Sequence, residues 1–470
     1  MTPILRVCLV VSTAFIMSAC GSQVKNISSL SGSTTNESYV RIPAEIINKA
    51  FIEKFSFNRD HIHHPAFAFG YIPTSHLDEL KATTKVDELN AFDWARNSFD
   101  LVTLEMKDED NLTSEVFEKY HYYNDLTVAL EDLVSEYPAL ISLHSAGKSE
   151  RGLELWYVRI SKNVTVEANK PKLLYLANMH GDETVGRELM IYLIEDLVKN
   201  YDSSPRFAGL LDYSEIFIMP SMNPDGFEKG RRSNNRGSDL NRNFPDFTSD
   251  PNDRPNGREV ETQHVMQLHK DHHFVSAVNF HGGAIVFNLP WDTQSNRVVE
   301  QRFGDDPLMK VLARKYADTS IDMTNSRWDN GVTYGYEWYE VNGGLQDWAS
   351  YYRQSMHATI ELSNTKFPAA NKLPYYWDMN REGLIQHLEN GIFGIHLRVV
   401  DQDDRVVASP TVSIASAWRP IQYETGFIHR STLTGVQTVT IQAEGYETAT
   451  IEVEPTIFNG DYTAITLNAI

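Results

Sequence analysis

The feature of this 470-residue chain that most restricts its fold is the alternation of apolar runs with amphipathic stretches from about residue 117. The runs PKLLYLANM, SEIFIMP, FVSAVNF and HATIEL are typical of buried strands. The stretches between them have helical periodicity, as in TVGRELMIYLIEDLVKNY, where Val185, Leu189, Leu193 and Leu197 form one apolar stripe. Strands that alternate with helices predict an α/β fold, in which helices cover both faces of a sheet.

The pattern changes after about residue 392. The segments GIHLRVVDQDDRVVASPTVSIASAW and GVQTVTIQAEGYETATIEVEP alternate apolar with polar residues, and turn residues lie between them. Such alternation predicts short strands with one buried face. We therefore expect a small all-β sandwich at the end of the chain, with a core of its own.

The first residues are typical of a targeting segment. Arg6 provides a positive charge, and VCLVVSTAFIMSA is an apolar run too short to span a bilayer. The run ends in MSAC, which resembles a bacterial lipobox and implies cleavage before Cys20 and attachment of lipid to it. Gly21 follows in place of the aspartate that marks inner-membrane retention, which favours an outer-membrane address, facing the periplasm or the cell surface. Simple secretion with a free Cys20 is the alternative.

The sequence between the targeting segment and the α/β pattern is less informative. Residues 21–38 are rich in Ser, Thr, Asn and Gly, which is typical of a flexible tether. The HIHHP segment (His61, His63 and His64) is interpreted as a solvated loop, because nothing nearby completes a metal site. The predicted domains are a lipoprotein signal peptide (1–19), a tether and N-terminal extension of unknown role (20–116), an α/β domain (117–391) and a β-sandwich (392–470).

The formal net charge of −21 restricts the possible partners. A strongly acidic protein repels the phosphates of nucleic acid, so no nucleic-acid partner is expected. The same charge attracts cationic partners over long distances. It is equally compatible with a role limited to keeping an exported protein soluble.

Two histidines and a glutamate follow predicted strands. His180 ends the PKLLYLANM strand and precedes Glu183 by three residues, whereas His281 ends the FVSAVNF strand and precedes two glycines. Ligands of α/β proteins gather at the carboxyl ends of strands. A catalytic zinc site has three protein ligands of these types. The same H-x-x-E spacing at His76 and Glu79 follows no buried strand, so the spacing alone is weak evidence.

Other histidines are not expected to bind the metal. His264, His269, His272 and His273 lie on the helix that precedes FVSAVNF or at its end. We interpret them as surface residues.

Seven segments occur in the order found in one enzyme family. They are NMHGDETVGRELM, MNPDGFE, DLNRNFPD, NFHGGAIVFNLPWD, GYEWYEVNGGLQDW, TIELSNTKFP and KLPYYW. With them the chain resembles the zinc metallocarboxypeptidases of the regulatory subfamily, which includes carboxypeptidases D, E, M and N. The resemblance extends over residues 117–470, because this subfamily joins its catalytic domain to a transthyretin-like sandwich. It implies a mixed sheet covered by helices, one Zn²⁺ ion per chain and hydrolysis of C-terminal peptide bonds.

The resemblance assigns roles at the reacting bond. It implies that His180, Glu183 and His281 bind the zinc ion, and that Asp239 orients the first of the two histidines. Glu361, in TIELS, is expected to take a proton from a water that zinc activates and later to give it to the leaving amine.

The resemblance also assigns the groups that hold the substrate. Arg232 is expected to polarise the scissile carbonyl, Asn241 and Arg242 to bind the terminal carboxylate, and Tyr339 to close over that end. Arg231 is adjacent to Arg232, and we choose Arg232 because it lies seven residues before the aspartate of DLNRN.

The side-chain pocket implied by the resemblance is acidic. Asp292 lies eleven residues after His281, and Gln346 lies in GGLQD. A buried carboxylate beside an amide favours Arg or Lys at the substrate terminus. Two other functions stay open: a carboxypeptidase of cell-wall (murein) peptides, whose diaminopimelate also carries an amine, and a non-catalytic lipoprotein that binds a partner through its sandwich.

Overall fold

A computed structural model describes most of the chain. The described residues are 37–43, 46–47, 49–55, 58–63, 67–89, 119–166, 168–293, 304–415, 417 and 419–470. They form two compact units, one within residues 1–100 and the other within residues 101–470. The predicted signal peptide, Cys20 and nearly all of the tether lie outside the described residues. Within them, no helix combines the length and the apolar character that a membrane crossing requires.

The first unit contains a four-stranded antiparallel sheet. Its strands are β1 (Glu37–Pro43), β2 (Asn58–His63), β3 (Phe67–Pro73) and β4 (Asp87–Leu89), in the order β2-β3-β1-β4, and its helices are α1 (Lys49–Phe55) and α2 (Leu77–Thr83). Val40, Ile42, Phe55 and Leu80 are buried in its core. The loop predicted for HIHHP is wrong for its first residues, because strand β2 runs through them to His63.

A mixed eight-stranded sheet dominates the second unit. Its strands are β5 (Ile141–Lys148), β6 (Glu154–Ile160), β7 (Lys172–Ala177), β8 (Glu215–Met219), β9 (Phe274–His281), β10 (Ala284–Leu289), β11 (Val332–Tyr334) and β12 (Met356–Ser363). The order is β11-β10-β12-β9-β7-β8-β6-β5. The central strands β12, β9, β7 and β8 are parallel, whereas β10 is antiparallel to β12 and β6 to β8.

Helices cover both faces of this sheet. The helices are α3 (Tyr123–Glu136), α4 (Val185–Lys199), α5 (Pro205–Tyr213), α6 (Pro224–Glu228), α7 (Val260–Asp271), α8 (Asp306–Thr319), α9 (Ile321–Thr324), α10 (Gly335–Trp338), α11 (Leu345–Trp348) and α12 (Leu373–Gly391). On β7, Leu174 and Leu176 belong to the core that includes Val265 of α7. The alternate residue Tyr175 donates a hydrogen bond to the carbonyl of Leu384 in α12. Neighbouring residues of a strand point to opposite faces, so both faces are buried.

The sequence places four of the eight strands, β7, β8, β9 and β12, to within a few residues. The segment NDLTVALEDLVSEYPAL has the apolar periodicity of an amphipathic helix, but the helix α3 ends within it, at Glu136. Pro138 explains the early end, because the residue before a proline is disfavoured in helical conformation. Strand β5 then begins at Ile141.

The chain ends in two four-stranded β-sheets. The strands are β13 (Phe393–Val400), β14 (Thr411–Ile414), β15 (Ile421–Gln422), β16 (Phe427–Arg430), β17 (Gln437–Gln442), β18 (Ala449–Val453), β19 (Thr456–Ile457) and β20 (Thr463–Thr466). One sheet contains β16, β13, β19 and β20, and the other has the order β15-β14-β17-β18. Residues of both sheets, among them Leu397 and Ile441, share one apolar core. The predicted fold class, α/β followed by an all-β sandwich, is confirmed; the domain boundaries stay predictions.

A buried ion pair joins these C-terminal strands to the α/β part. Arg430, the last residue of β16, pairs with Asp305, which directly precedes α8. Their side chains are only 2% and 6% exposed. Arg430 also donates a hydrogen bond of 2.7 Å to the carbonyl of Gln354. Neither charge has access to bulk water, so each depends on the other.

We expect the substitution Arg430→Met to lower the free energy of unfolding by about 3–5 kcal/mol, because it leaves the Asp305 carboxylate buried without its partner. Urea unfolding followed by circular dichroism measures the change. The matched control is Arg405→Met, which breaks a pair with Asp401 on a 72% exposed arginine and should leave stability unchanged. Equal stability of both variants would contradict the role of the buried pair.

Candidate active site

Two adjacent strands carry the histidines predicted to bind metal. Strands β7 and β9 are parallel neighbours, with Ala177 opposite Phe280. Their carboxyl ends therefore lie side by side at one edge of the sheet. His281 is the last residue of β9, and His180 lies three residues beyond the end of β7.

The loop after β7 is held in shape by its own polar groups. Asn178, which adopts a positive φ of 56°, donates hydrogen bonds to the carbonyls of His180, Gly181 and Glu183. Gly181 is required because a Cβ atom there would lie 2.1 Å from the backbone of Gly226. This loop directs the side chains of His180 and Glu183 toward the end of β9.

The three predicted ligands converge within the buried edge of the sheet. The Nδ1 atoms of His180 and His281 are 3.0 Å apart, and they lie 3.0 and 2.8 Å from Oε2 of Glu183. All three side chains are at most 4% exposed. Among the described residues, this is the one group of three histidine, cysteine, aspartate or glutamate side chains with ligand atoms so close together.

These donors fit a zinc ion. Four-coordinate zinc with bonds of about 2.0–2.1 Å to nitrogen places neighbouring ligand atoms about 3.3 Å apart, close to the observed distances. Two imidazole nitrogens that face each other in a buried site repel if both present lone pairs, and a shared cation removes this repulsion. Burial acts to raise the pKa of Glu183, but the imidazoles of His180 and His281 lower it well below its usual value, so its carboxylate is ionised.

Asp239 and Arg232 surround the ligands. Oδ1 of Asp239 lies 3.0 Å from Nε2 of His180, and an ionised carboxylate can only accept. Nε2 therefore carries the proton, which leaves the Nδ1 lone pair for a metal. Arg232 donates from Nε to Asp239 and from Nη1 to Glu183, at 3.0 and 3.2 Å. Arg231 instead donates to backbone carbonyls of its own loop, at Asn234 and Asn235.

Glu361 lines the same cavity as His180, Glu183 and His281, which together are called the ligand cluster. It belongs to β12, opposite His281 of β9, and lines the cavity with His180 and Glu183. Its Oε2 atom is buried and has no hydrogen-bond partner in the described part of the chain. Burial raises the pKa of Glu361 well above its usual value, and the nearby charge of Glu183 adds to the effect. A carboxyl group of this kind is suited to accept and return a proton.

Two of the three residues predicted to bind the substrate's terminus, Asn241 and Tyr339, line the cavity. Asn241 lines it and accepts a hydrogen bond of 3.1 Å from the backbone of Leu345. Arg242 is exposed and does not itself line the cavity; it donates to the carbonyl of Asn241, and its charge acts on the neighbouring Tyr339 and Asp292. It forms no ion pair with a carboxylate among the described residues. Tyr339 also lines the cavity, and its side chain is 47% exposed.

Asp292 forms the acidic end of the cavity. It is 4% exposed, and its Oδ1 accepts hydrogen bonds from Asn288 at 2.8 Å and Gln346 at 3.1 Å. Burial raises the pKa of Asp292 to about 6. Gln346 lies behind Asp292 and does not itself line the cavity. A side chain at Gly335 would lie 1.7 Å from Oδ1 of Asp292, so glycine is required there to keep the pocket open.

Sequence reasoning missed three residues that shape the site. Asp347 accepts backbone hydrogen bonds of 2.8–2.9 Å from Asp292 and Thr293 and so fixes the pocket. Asn288 holds Asp292 from within the pocket wall, and Lys366 donates to Oε1 of Glu183 at 2.8 Å. All three lie inside motifs that carry the resemblance, next to residues that were assigned, but nothing in the sequence marks their contacts.

The surface position predicted for the histidines of α7 is wrong for one of them. His269 is only 3% exposed, and its ring packs edge-on against Phe274 and Trp348. The side of helix α7 that carries His269 faces the apolar core. The histidine contributes an aromatic surface there.

Comparison with known proteins agrees with this geometry. The sequence profile of the zinc carboxypeptidase family matches residues 126–383. This chain belongs to the zinc carboxypeptidase family. Among the residues that the structure describes, His180, Glu183 and His281 form the group of side chains that fits the family's zinc ion.

Relatives of this chain include carboxypeptidases D, M and N. The chain is 37% identical to carboxypeptidase D of Anas platyrhynchos over 361 residues, which cover 72% of the chain and 26% of that protein. It is 36% identical to carboxypeptidase M of Mus musculus, with coverage of 63% and 71%. It is 32% identical to the carboxypeptidase N catalytic chain of Homo sapiens, with coverage of 74% and 86%. The chain thus spans about a quarter of the length of its carboxypeptidase D relatives.

We expect the substitution Glu183→Gln to abolish zinc binding, because it removes the negative charge and one of three ligands. Metal analysis of the purified protein should give about one zinc per chain for the wild type and less than about 0.1 for the variant. The matched control is Glu361→Gln, a buried glutamate of the same cavity that is not a ligand and should keep its zinc. Loss of zinc from both variants, or from neither, would contradict the proposed ligand set.

Proposed function

We propose that this chain is a metallocarboxypeptidase that releases Arg or Lys from the carboxyl end of peptides. One observation carries the proposal: a cluster suited to zinc, a buried glutamate and an acidic pocket open into a single cavity. His180, Glu361 and Asp292 all line it. The last residue of a substrate can therefore reach both the hydrolytic centre and a recognition site for its cationic side chain.

Proton transfer is the role of Glu361. Zinc, when held by the ligand cluster, supplies Lewis-acid chemistry to the cavity. Oε2 of Glu361 takes the proton of the attacking water and then returns it to the nitrogen of the departing residue. Its burial supports this role, because a carboxylate without hydrogen bonds is a stronger base than a solvated one.

Arg232 stabilises the negative charge that develops on the scissile carbonyl oxygen. Its Nε and Nη1 atoms are bound to Asp239 and Glu183. These two contacts fix the guanidinium plane, which leaves Nη2 to donate to the oxygen. A fixed donor of this kind costs no reorganisation during the reaction.

The preference for chain ends comes from Arg242, Asn241 and Tyr339. A planar guanidinium without a carboxylate partner can bind a terminal carboxylate with two parallel hydrogen bonds. Asn241 adds an amide beside it, and the exposed Tyr339 covers the bound residue. An internal peptide segment has no carboxylate at this point and would leave Arg242 unpaired.

The preference for basic residues comes from Asp292. Oδ2 of Asp292 has no hydrogen-bond donor among the described residues, so a guanidinium or ammonium group of the substrate can supply one. An apolar side chain would leave this carboxylate buried and unpaired, at a cost of several kcal/mol.

Matched peptides that differ in their last residue test this function. We expect zinc-dependent release of Arg and Lys, with kcat/KM at least about 100-fold higher than for Phe or Glu ends. Asp292→Asn should lower kcat/KM for Arg ends about 100-fold, and Asp404→Asn, an exposed aspartate of the sandwich, should not. Removal of zinc by a chelator should abolish all release.

Other outcomes would select other functions. A preference for Phe ends would refute the role of Asp292. Faster cleavage of murein peptides that end in diaminopimelate would favour the cell-wall carboxypeptidase. Stoichiometric zinc without cleavage of any peptide would favour a binding protein.

We also propose that the protein is exported and anchored to the bacterial outer membrane by lipid on Cys20. The MSAC motif after a short apolar run supports this proposal. A tether rich in Ser, Thr, Asn and Gly follows the cysteine and suits a protein held at a membrane surface.

Metabolic labelling with palmitate tests the anchor. The full-length protein expressed in a Gram-negative host should incorporate label and fractionate with the outer membrane. Cys20→Ser should lose both properties, whereas Cys8→Ser should keep them. Labelling of the Cys20→Ser protein would exclude this site of attachment.

A further inference from the structure

A second cavity, of about 530 Å³, opens beside the catalytic cavity. Its walls combine a carboxylate, two carboxamides, a hydroxyl, a guanidinium and an indole. These groups belong to Asp322, Asn325, Asn364, Ser326, Arg327 and Trp328. The lining is polar and has one aromatic surface, which suits a hydrophilic ligand better than an apolar side chain.

The second cavity and the acidic pocket lie on opposite sides of Glu361. Residues 283–285, at the start of β10, line the second cavity. Glu361 is paired with Val286 in the middle of β10, and Asn288 of the acidic pocket follows toward its end. A peptide with its last side chain at Asp292 and its scissile bond at Glu361 is therefore directed toward the second cavity.

The distance from the scissile bond to the second cavity corresponds to a few residues of an extended substrate. Two residue steps separate Val286 from Ala284, which is about 7 Å along a strand. An extended peptide covers about 3.3–3.6 Å per residue, so its second or third residue before the scissile bond reaches the cavity. The two cavities also share a wall, since the ring of Trp328 lies 4.9 Å from that of Trp338, which lines the catalytic cavity.

Arg327 is the cationic group of this cavity. Its guanidinium lies 4.4 Å from the centre of the Trp328 ring. Within the described ranges it has no ion pair and no hydrogen bond, whereas Asp322 of the same wall accepts a hydrogen bond of 2.7 Å from Tyr375. An indole beneath a guanidinium holds its plane and leaves the N–H edges free, which is the arrangement that binds a carboxylate.

We propose that this cavity binds the carboxylate side chain of a substrate glutamate or aspartate, two or three residues before the scissile bond, through Arg327. The proposal rests on the proposed carboxypeptidase function. It adds a second determinant of specificity: the preferred substrate carries an acidic residue at the third or fourth position from a basic carboxyl end.

Peptides of alanine that end in Arg provide the test. Glu, Gln or Lys is placed at the third, fourth or fifth position from the end, one substitution per peptide. We expect kcat/KM to be about three- to tenfold higher with Glu than with Gln at the third or fourth position, mainly through KM, and lowest with Lys.

Reversal of the charge at position 327 tests whether Arg327 binds the acidic side chain of the substrate. Arg327→Gln should abolish the difference between Glu and Gln peptides, and Arg327→Glu should reverse the order so that Lys peptides are preferred. Arg405→Gln removes the same charge from the sandwich surface and should retain the preference for Glu. All three variants should hydrolyse the unsubstituted alanine peptide at the wild-type rate, which also shows that they fold.

Binding to the zinc-loaded Glu361→Gln variant separates the two proposals. Calorimetry should find the same three- to tenfold difference between Glu and Gln peptides in the absence of turnover. Equal affinities, or a preference for Glu that persists in Arg327→Gln, would overturn the role of this cavity and leave the carboxypeptidase function standing. A wild type that binds these peptides with the expected preference but cleaves none would refute the carboxypeptidase function alone.

Discussion

The active site depends on keeping one ionised carboxylate, Glu183, inside the protein at the ends of two parallel strands. A charge buried in this way is unstable unless several groups compensate it. Two imidazoles, the backbone amide of Gly282, Arg232 and Lys366 surround its two oxygens, and a zinc ion would add the strongest compensation. These groups come from four parts of the chain, near residues 180, 232, 281 and 366, so the catalytic centre forms only when these distant segments have come together.

The acidic pocket also buries a carboxylate, that of Asp292, but the groups around it compensate the charge less completely than those around Glu183. Asp292 is buried, but it receives only neutral donors, from Asn288 and Gln346, and Asp347 binds its backbone rather than its charge. Burial therefore leaves the pKa of Asp292 at about 6, whereas the pKa of Glu183 falls. One carboxylate is satisfied by its surroundings, whereas the other feels the charge of Arg242 but has no hydrogen-bonded cation until a substrate brings one.

The sequence predicted the parts of this site that depend on local pattern. A histidine at the end of an apolar strand can be recognised from the strand, and parallel neighbours then bring His180 and His281 together. Asp347 and Lys366 could not be assigned, because their contacts join segments 54 and 183 residues apart. The burial of His269 was missed for a related reason, since helical periodicity indicates an apolar stripe but not how far a core extends around it. Strand β2 was missed because HIHHP has no apolar alternation.

The ion pair between Arg430 and Asp305 also affects how this protein could lose its C-terminal strands during evolution. Asp305 precedes α8, and the short helix after α8 leads into the loop that carries Arg327. A shorter descendant of this protein, cut before Phe393, would lose the guanidinium that pairs with Asp305 at the base of that segment. Loss of the sandwich during evolution would therefore remove, besides the strands themselves, a contact that holds the start of the segment leading to the second cavity.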